Sequence, residues 1–156
     1  TSRQEEKLAL SLQMGADAVV NTKEQDLHAE ITRLTNGQMC DAVIDNIGIK
    51  GSVNDALRLL CAGGRVIVSG YNDAAFEAEY QDVMKFEKEI LGMRGMTRQD
   101  LAEVIQLVEA GKIVPYIHKT IPFLQINEGL RMLRTGEAKG RVVLMMEDRP
   151  IGKEEV

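Results

Sequence analysis

Short apolar runs alternate with amphipathic helical patterns along most of the chain. Helical spacing of apolar residues predicts helices over residues 3–14 and 25–35, from Ser52 to Gly63, and after Thr97. Between them lie apolar runs of strand length, at residues 18–20, 42–45, 65–68 and 90–91. These runs are continuous rather than alternating, which is typical of parallel strands buried on both faces. The pattern therefore predicts an α/β fold with a doubly wound parallel sheet.

Local signals predict where elements begin and end. Ser52, with Asp55 three positions later, has the spacing of a capping box and predicts a helix N-cap. Residues 71–87 are polar and predict a loop with one helical turn around Val83 and Met84.

The last part of the chain has a different organisation. It predicts a strand over residues 117–123, a helix over 125–134 with Ile126, Leu130 and Leu133 facing inward, and a closing strand over 141–145. We expect a domain boundary near residue 113 and therefore domains over residues 1–112 and 113–146. Residues 147–156 are charged and predict a flexible tail.

Composition and charge exclude several classes of function. The chain has 156 residues, 44% of them hydrophobic and 28% charged, with a formal net charge of −5. Acidic and basic residues are mixed, so we expect no nucleic-acid partner, and no apolar run is long enough to predict a membrane span. Two cysteines and two isolated histidines offer no zinc site and favour a reduced, cytoplasmic protein.

Several segments resemble, in order, those of one known superfamily. They include Lys7-Leu8, Met14-Gly15-Ala16-Asp17, Asp41 to Asp45 with Gly48, Gly63 to Gly70, Thr97 to Leu101, and Gly140 to Leu144. Together they cover nearly the whole chain and resemble the C-terminal part of the medium-chain NAD(P)-dependent dehydrogenases/reductases. That superfamily includes zinc-type alcohol dehydrogenases and quinone reductases.

The resemblance also implies that parts of the family pattern are missing. The family's cofactor domain begins with a strand and a Gly-rich turn at the N-terminus of a helix, and this chain has no GxGxxG sequence. We therefore expect a partial Rossmann-type sheet lacking its first strand and that turn, followed by a segment that returns to the catalytic domain. Catalytic groups, and zinc if the parent uses it, would lie outside this chain. We expect an inactive fragment and assign no catalytic residue.

The resemblance implies a set of cofactor-binding residues. Ser2 and Arg3 fall where the adenosine ribose is held, and a hydroxyl beside a guanidinium suits the 2′-phosphate of NADP(H), with NAD as the alternative. Lys7 matches a lysine near the same ribose, and Arg141 matches an arginine that reaches the pyrophosphate. The other expected residues follow the ends of strands: Asn46, Ile47 and Gly48 border the cofactor, Ser69, Gly70 and Tyr71 lie along the nicotinamide, and Gly95 lies further along the same wall.

The sequence leaves other functions open. The leading hypothesis is a part of an oxidoreductase that moves hydride between NADP(H) and a small-molecule substrate, in a homodimer paired near residues 90–91. One alternative is a non-catalytic α/β module that binds an anion or a nucleotide at Gly48–Ser52, and another is an oligomerisation fragment. Asp41 and Asp45 share a strand face but lie roughly 13 Å apart along the strand, too far for an acid–base pair of the glycosidase type.

Overall fold

The computed structural model describes residues 1–71 and 78–146. It divides into two compact units, Thr1–Arg98 and a second unit that begins at Gln99. This division falls earlier in the chain than residue 113, and the domain assignment itself stays a prediction. The expected tail, residues 147–156, and part of the expected loop, residues 72–77, lie outside the described residues.

The described residues of the first unit form a three-stranded parallel sheet and four helices. Its elements are α1 (Glu5–Gln13), α2 (Leu27–Leu34), β1 (Cys40–Asp45), α3 (Ser52–Arg58), β2 (Leu60–Val68), α4 (Tyr80–Lys85) and β3 (Glu89–Gly92). The strand order is β1-β2-β3, with Val43 opposite Val66 and Val66 opposite Ile90. The predicted α/β class with a parallel sheet is therefore confirmed, as is a helix around Val83 and Met84.

The core of this unit lies between α3 and the sheet. Val53, Ala56 and Leu57 of α3 are buried together with Leu60 and Val66 of β2. Leu57 and Val66 are completely shielded from solvent. The apolar stripe predicted for the helix that follows Ser52 is thus the stripe that covers the sheet.

Residues 18–20 do not form the strand predicted for them. Val20 is buried, as expected, but the only pairing here is an isolated parallel bridge between Ser2 and Asn21 among the described residues. The Ser2 N–H donates to the Val20 carbonyl at 3.2 Å, and the Thr22 N–H donates to the Ser2 carbonyl at 3.1 Å. A longer ladder does not form because the partner segment turns into α1 at Glu5.

Ser52 is not the N-cap of α3. The helix begins at Ser52 itself, and its N-cap is Gly51, which has the left-handed backbone conformation with φ of 88°. The Ser52 hydroxyl instead donates to the Asp45 carboxylate at 2.6 Å. The prediction failed because this carboxylate, seven residues earlier, binds the hydroxyl in place of the helix amides.

The second unit contains a βαβ arrangement. Its elements are α5 (Arg98–Glu109), which starts at the division, β4 (Ile117–Pro122), a short 3₁₀ turn (Phe123–Gln125), α6 (Ile126–Thr135) and β5 (Arg141–Met145). The strands β4 and β5 are parallel, with Ile121 opposite Leu144. No helix of the described residues is long and apolar enough to cross a membrane.

The inward face of α6 differs from the prediction. Gly129 and Met132 are buried, whereas Ile126, Leu130 and Leu133 are 36%, 50% and 58% exposed. A Cβ atom at Gly129 would lie 3.1 Å from Cδ1 of Ile121. The glycine therefore lets the helix approach the sheet closely, whereas the three larger side chains border an open cavity that Val142 and Leu144 of β5 also line.

Candidate functional site

Two loops meet at the carboxyl edge of the sheet in the first unit. One follows β1 and contains Asn46, Ile47 and Gly48, and the other follows β2 and contains Ser69 and Gly70. The Ser69 and Gly70 N–H groups donate to the Asp45 carbonyl at 2.9 and 3.0 Å. The structure thus brings together five of the residues that the sequence assigned to cofactor binding.

Glycine at position 70 permits this approach. A Cβ atom there would lie 2.4 Å from the carbonyl carbon of Ile47 and 2.5 Å from the amide nitrogen of Gly48. Both neighbours are backbone atoms, so they have no flexible side chain to move aside. The backbone of the two loops is therefore in direct contact only because residue 70 has no side chain.

The Asp45 carboxylate organises the first loop. Its Oδ1 accepts the N–H groups of Ile47 at 2.9 Å and Gly48 at 3.0 Å, and its Oδ2 accepts the Ser52 hydroxyl. The side chain is buried, with 8% of the residue exposed. Burial raises the pKa of Asp45, but the hydrogen bonds from Ser52, Gly48 and Ile47 outweigh it and hold the pKa below its usual range. The carboxylate is therefore ionised near neutral pH.

The side chains of the two loops also bond to each other. The Ser69 hydroxyl donates to Oδ1 of Asn46 at 2.5 Å and contacts the Asp45 carbonyl at 3.3 Å. Ile47 is 65% exposed and Tyr71 is 96% exposed, so the outer side of this edge is open to solvent. The edge combines fixed backbone with exposed apolar side chains, which is what a flat ring system needs to bind.

A cavity of about 520 Å³ lies beside β1. Its lining includes Thr1, Ile44, Asp45, Asn46, Ile47 and Ser52. β1 pairs only with β2 among the described residues, so the cavity lies along the unpaired side of the strand. It joins the start of the chain to the loop after β1.

The N-terminal candidates lie at the start of the same unit. The Ser2 hydroxyl accepts the Gln4 N–H at 3.2 Å, and its backbone forms the bridge to Asn21. Arg3 is exposed and Lys7 is half-buried on α1. The Ser2 hydroxyl keeps its own hydrogen free to donate, and the Arg3 guanidinium faces solvent.

Gly95 and Arg141 are not brought into the paired loops by any described contact. Gly95 follows β3, has φ of 66° and has open space where a Cβ atom would be. Arg141 begins β5 in the second unit. Its side chain is exposed, and its backbone N–H donates to the Tyr116 carbonyl at 3.1 Å.

Comparison with known protein families identifies the family of this chain. The family model described as zinc-binding dehydrogenase matches residues 1–110. The chain belongs to the zinc-binding dehydrogenase family. The resemblance to medium-chain dehydrogenases/reductases, and to their C-terminal part, is thereby confirmed.

Individual relatives of this dehydrogenase chain are enzymes with different cofactors in their names. A D-arabinose 1-dehydrogenase (NADP(+)) from Saccharolobus solfataricus is 32% identical over 143 residues, covering 92% of this chain and 40% of the relative. An NAD-dependent alcohol dehydrogenase from Sulfurisphaera tokodaii is 30% identical, covering 90% and 41%. The chain therefore spans about 40% of the length of these relatives.

Solved structures of dehydrogenases share the fold. The crystal structure of the alcohol dehydrogenase from the hyperthermophilic archaeon Aeropyrum pernix has a TM-score of 0.83 at 30% identity. It covers 91% of this chain, which spans 40% of that structure. The partial Rossmann-type fold expected from the sequence is therefore confirmed.

The family name raises the question of a metal in this part of the dehydrogenase. Among residues 1–71 and 78–146, the structure brings together no group of three or more His, Cys, Asp or Glu side chains that could hold a metal ion. These residues therefore do not fit a zinc site, and no zinc-dependent step is assigned to them.

Sequence reasoning missed the residue that organises the candidate site. The sequence placed Asp45 in a family motif and in a rejected carboxylate pair, and Ser52 in a helix cap and an alternative anion site, but gave neither residue a role in holding the loops. An aspartate at the end of a strand, with a glycine three positions later, is a signal for a side chain that accepts the next backbone N–H groups. That signal could have identified Asp45.

Proposed function

We propose that this chain is the C-terminal, cofactor-binding part of an NAD(P)(H)-dependent oxidoreductase that transfers hydride to or from a small-molecule substrate. The observation that carries the proposal is the paired loop edge after β1 and β2, in a chain of the dehydrogenase family. In open α/β sheets, ligands bind outside the carboxyl ends of the strands. The substrate class would be that of an alcohol dehydrogenase or of a quinone or enone reductase.

The residues of this chain would bind and orient the cofactor. The nicotinamide ring supplies the hydride chemistry when bound. The backbone of Asn46, Ile47 and Gly48, with Ser69, Gly70 and Tyr71, would lie along the ring, and Gly95 would lie further along the same wall. Lys7 would bond the adenosine ribose, and Arg141 would bind the pyrophosphate with its guanidinium.

We assign no catalytic residue to this chain. Proton donors, and zinc if it is used, would come from a part of the enzyme not included in this sequence. The expected pyrophosphate-binding turn is also not in the sequence. The 156-residue chain by itself should therefore not turn over NADPH.

The preference for NADP(H) rests on Ser2 and Arg3. A carboxylate at this position would repel a 2′-phosphate, whereas an exposed guanidinium beside a free hydroxyl hydrogen would bind it. One relative has NADP in its name and the other has NAD, so the relatives do not favour either cofactor. The proposed preference therefore depends on the side chains of Ser2 and Arg3.

The alternative of an anion site at Gly48–Ser52 has less support. Two backbone N–H groups that an anion would use are already engaged: that of Gly48 donates to the Asp45 carboxylate and that of Ser52 donates to the Ile49 carbonyl. A second negative charge beside this buried carboxylate would be repelled.

The proposed enzyme would act as a homodimer in the cytoplasm, and the two cysteines, unpaired in the structure, agree with a reduced compartment.

Replacing Arg3 tests the cofactor preference. In the longer enzyme, Arg3→Ala should weaken NADPH binding by roughly 1.5–3 kcal/mol and leave NADH binding nearly unchanged, because only NADPH carries the 2′-phosphate. Arg134→Ala removes another exposed arginine, on α6, and should affect neither cofactor. Calorimetric titration of both nucleotides measures this, and equal effects of Arg3→Ala on both would make Arg3 a bystander.

A further inference from the structure

We propose that Asp45 is a positioning residue that holds the two cofactor-side loops in one arrangement, with Ser52 holding its carboxylate in place. The proposal rests on the proposed function for its consequence, which is affinity for the dinucleotide. Neither residue belongs to the set that would touch the cofactor.

The side chain of Asp45 fixes the loop after β1. Both carboxylate oxygens are used: one accepts the Ile47 and Gly48 N–H groups, and the other accepts the Ser52 hydroxyl. Ser52 lies at the first position of α3, whose buried face packs on the sheet. The loop is thereby tied through Asp45 to the helix that covers the buried core of the unit.

The backbone of the same residue fixes the loop after β2. The Asp45 carbonyl accepts the N–H groups of Ser69 and Gly70, and the Ser69 hydroxyl, which donates to Asn46, lies 3.3 Å from it. Five donors from both loops and from α3 therefore converge on one residue. A backbone shift at Asp45 that weakened the bonds to its carboxylate would also disturb the bonds of its carbonyl to the second loop.

The bonds to Asp45 affect both loops together because the two loops are in direct contact. Gly70 lies against the Ile47–Gly48 peptide with no room for even a methyl group. A displacement of the first loop therefore has to displace the second. A cofactor that binds to the backbone of both loops would lose affinity when Asp45 releases them, although Asp45 does not touch it.

Hydrogen exchange on the free chain tests the positioning role without a ligand. In Asp45→Asn, the amides of Ile47 and Gly48 should exchange roughly tenfold faster, as expected for loss of a hydrogen bond to a charged group, and those of Ser69 and Gly70 should follow. Ser52→Ala is the milder variant and should accelerate the same four amides, while Ser52→Thr keeps the hydroxyl and should restore them. Acceleration confined to Ile47 and Gly48 would make Asp45 a local turn residue and overturn the proposal.

Asp41→Asn is the matched control for these variants. It neutralises a carboxylate on the same strand, at the opposite end of β1, where the side chain is exposed. The four amides should exchange in this variant as in the unaltered chain. Equal acceleration in Asp41→Asn and Asp45→Asn would show a general effect of charge on the strand and would contradict the proposal.

Steady-state kinetics of the longer enzyme tests the consequence for the cofactor. Ser52→Ala should raise the KM for the dinucleotide about tenfold and leave the KM for the other substrate unchanged, and Ser52→Thr should reverse this. A purely structural role would lower kcat through loss of active enzyme without changing either KM, and that result would overturn the proposal. If the unaltered enzyme does not use a nicotinamide dinucleotide, the proposed function fails, while the exchange experiment still decides whether Asp45 couples the loops.

Discussion

At the residue scale, Asp45 gives the fold a defined dependence on pH. Its pKa lies below the usual value in the folded chain and near about 3.9 when the chain is unfolded. The folded state therefore binds this proton less readily than the unfolded state does. The stabilisation is fully present above about pH 4 and is lost as the pH falls through the lower, folded pKa.

We predict that Asp45→Asn removes this acid dependence. At neutral pH the variant should be less stable by about 1.5–3 kcal/mol, since an amide cannot accept the Ser52 hydroxyl and the two backbone N–H groups as a charged acceptor does. Urea unfolding at several pH values measures the difference from the unaltered chain, which should shrink below about pH 4. Asp41→Asn should behave as the unaltered chain, and a difference that is constant down to low pH would contradict this account.

A second prediction at this scale concerns Gly70. Gly70→Ala should destabilise the chain by about 1–3 kcal/mol, because its Cβ atom would overlap the backbone of Ile47 and Gly48. Gly92→Ala is the matched control, since a Cβ atom at Gly92 has no neighbour within 4 Å. Thermal unfolding of both variants measures this, and equal stability would show that the two loops separate without cost.

At the element scale, the sequence predicts the sheet better than it predicts contacts at its ends. The continuous apolar runs of β1, β2 and β3 and the stripe of α3 identify the core because each is a local pattern. The segment at 18–20 fails because strand formation needs a partner, and here the partner is a single bridge at Ser2. The side chains of Ile126, Leu130 and Leu133 on α6 are more exposed than predicted, and the close contact with the sheet is made at Gly129, which has no apolar side chain to count.

The candidate site shows the same division between local and distant information. Asn46, Ile47, Gly48, Ser69 and Gly70 follow strand ends, and parallel strands carry such positions to one edge. The bond from Ser52 to Asp45 joins residues 7 positions apart, and the bond from Ser69 to Asn46 joins residues 23 positions apart. The pattern of apolar and polar residues along the chain does not predict such side-chain pairs, so only the structure identifies them.

One prediction at the element scale concerns the end of α3. Lys88 is buried, and its Nζ donates to the Leu57 carbonyl at 2.7 Å near the end of that helix. Lys88→Met keeps most of the side-chain volume but leaves this carbonyl without its donor, which should cost about 1–3 kcal/mol.

Lys85→Met is the control for this substitution. Nζ of Lys85 and Nζ of Lys88 both lie 5.3 Å from the centre of the Phe86 ring, but Lys85 is exposed. Its replacement should change stability by no more than about 0.5 kcal/mol. Chemical unfolding of both variants compares them, and equal losses would assign the effect to the contact with Phe86.

At the scale of the whole molecule, β1 has an unpaired side. Among the described residues it pairs only with β2, and its Ile44 is 61% exposed. Unpaired backbone groups on an apolar strand form a template for another chain. We therefore predict that the 156-residue chain self-associates or rearranges to cover this strand.

Sedimentation velocity, with hydrogen exchange at residues 42–45, measures this. Ile44→Lys should reduce association, because a charge on an edge strand opposes pairing. Leu124→Lys, at a position that is 78% exposed outside the sheet, should not. A monodisperse monomer with a native sheet and freely exchanging amides at 42–45 would disprove the prediction.

The central claim is that the edge formed by the loops after β1 and β2 takes part in binding a nicotinamide dinucleotide in the longer enzyme. A crystal structure of the longer enzyme with NADP⁺ tests it most directly. We predict contacts spread over residues 2–7, 46–48, 69–71 and 93–96 and at Arg141, with the 2′-phosphate beside Arg3. Contacts confined to residues 48–55, or a nucleotide bound away from the edge formed by the loops after β1 and β2, would contradict it.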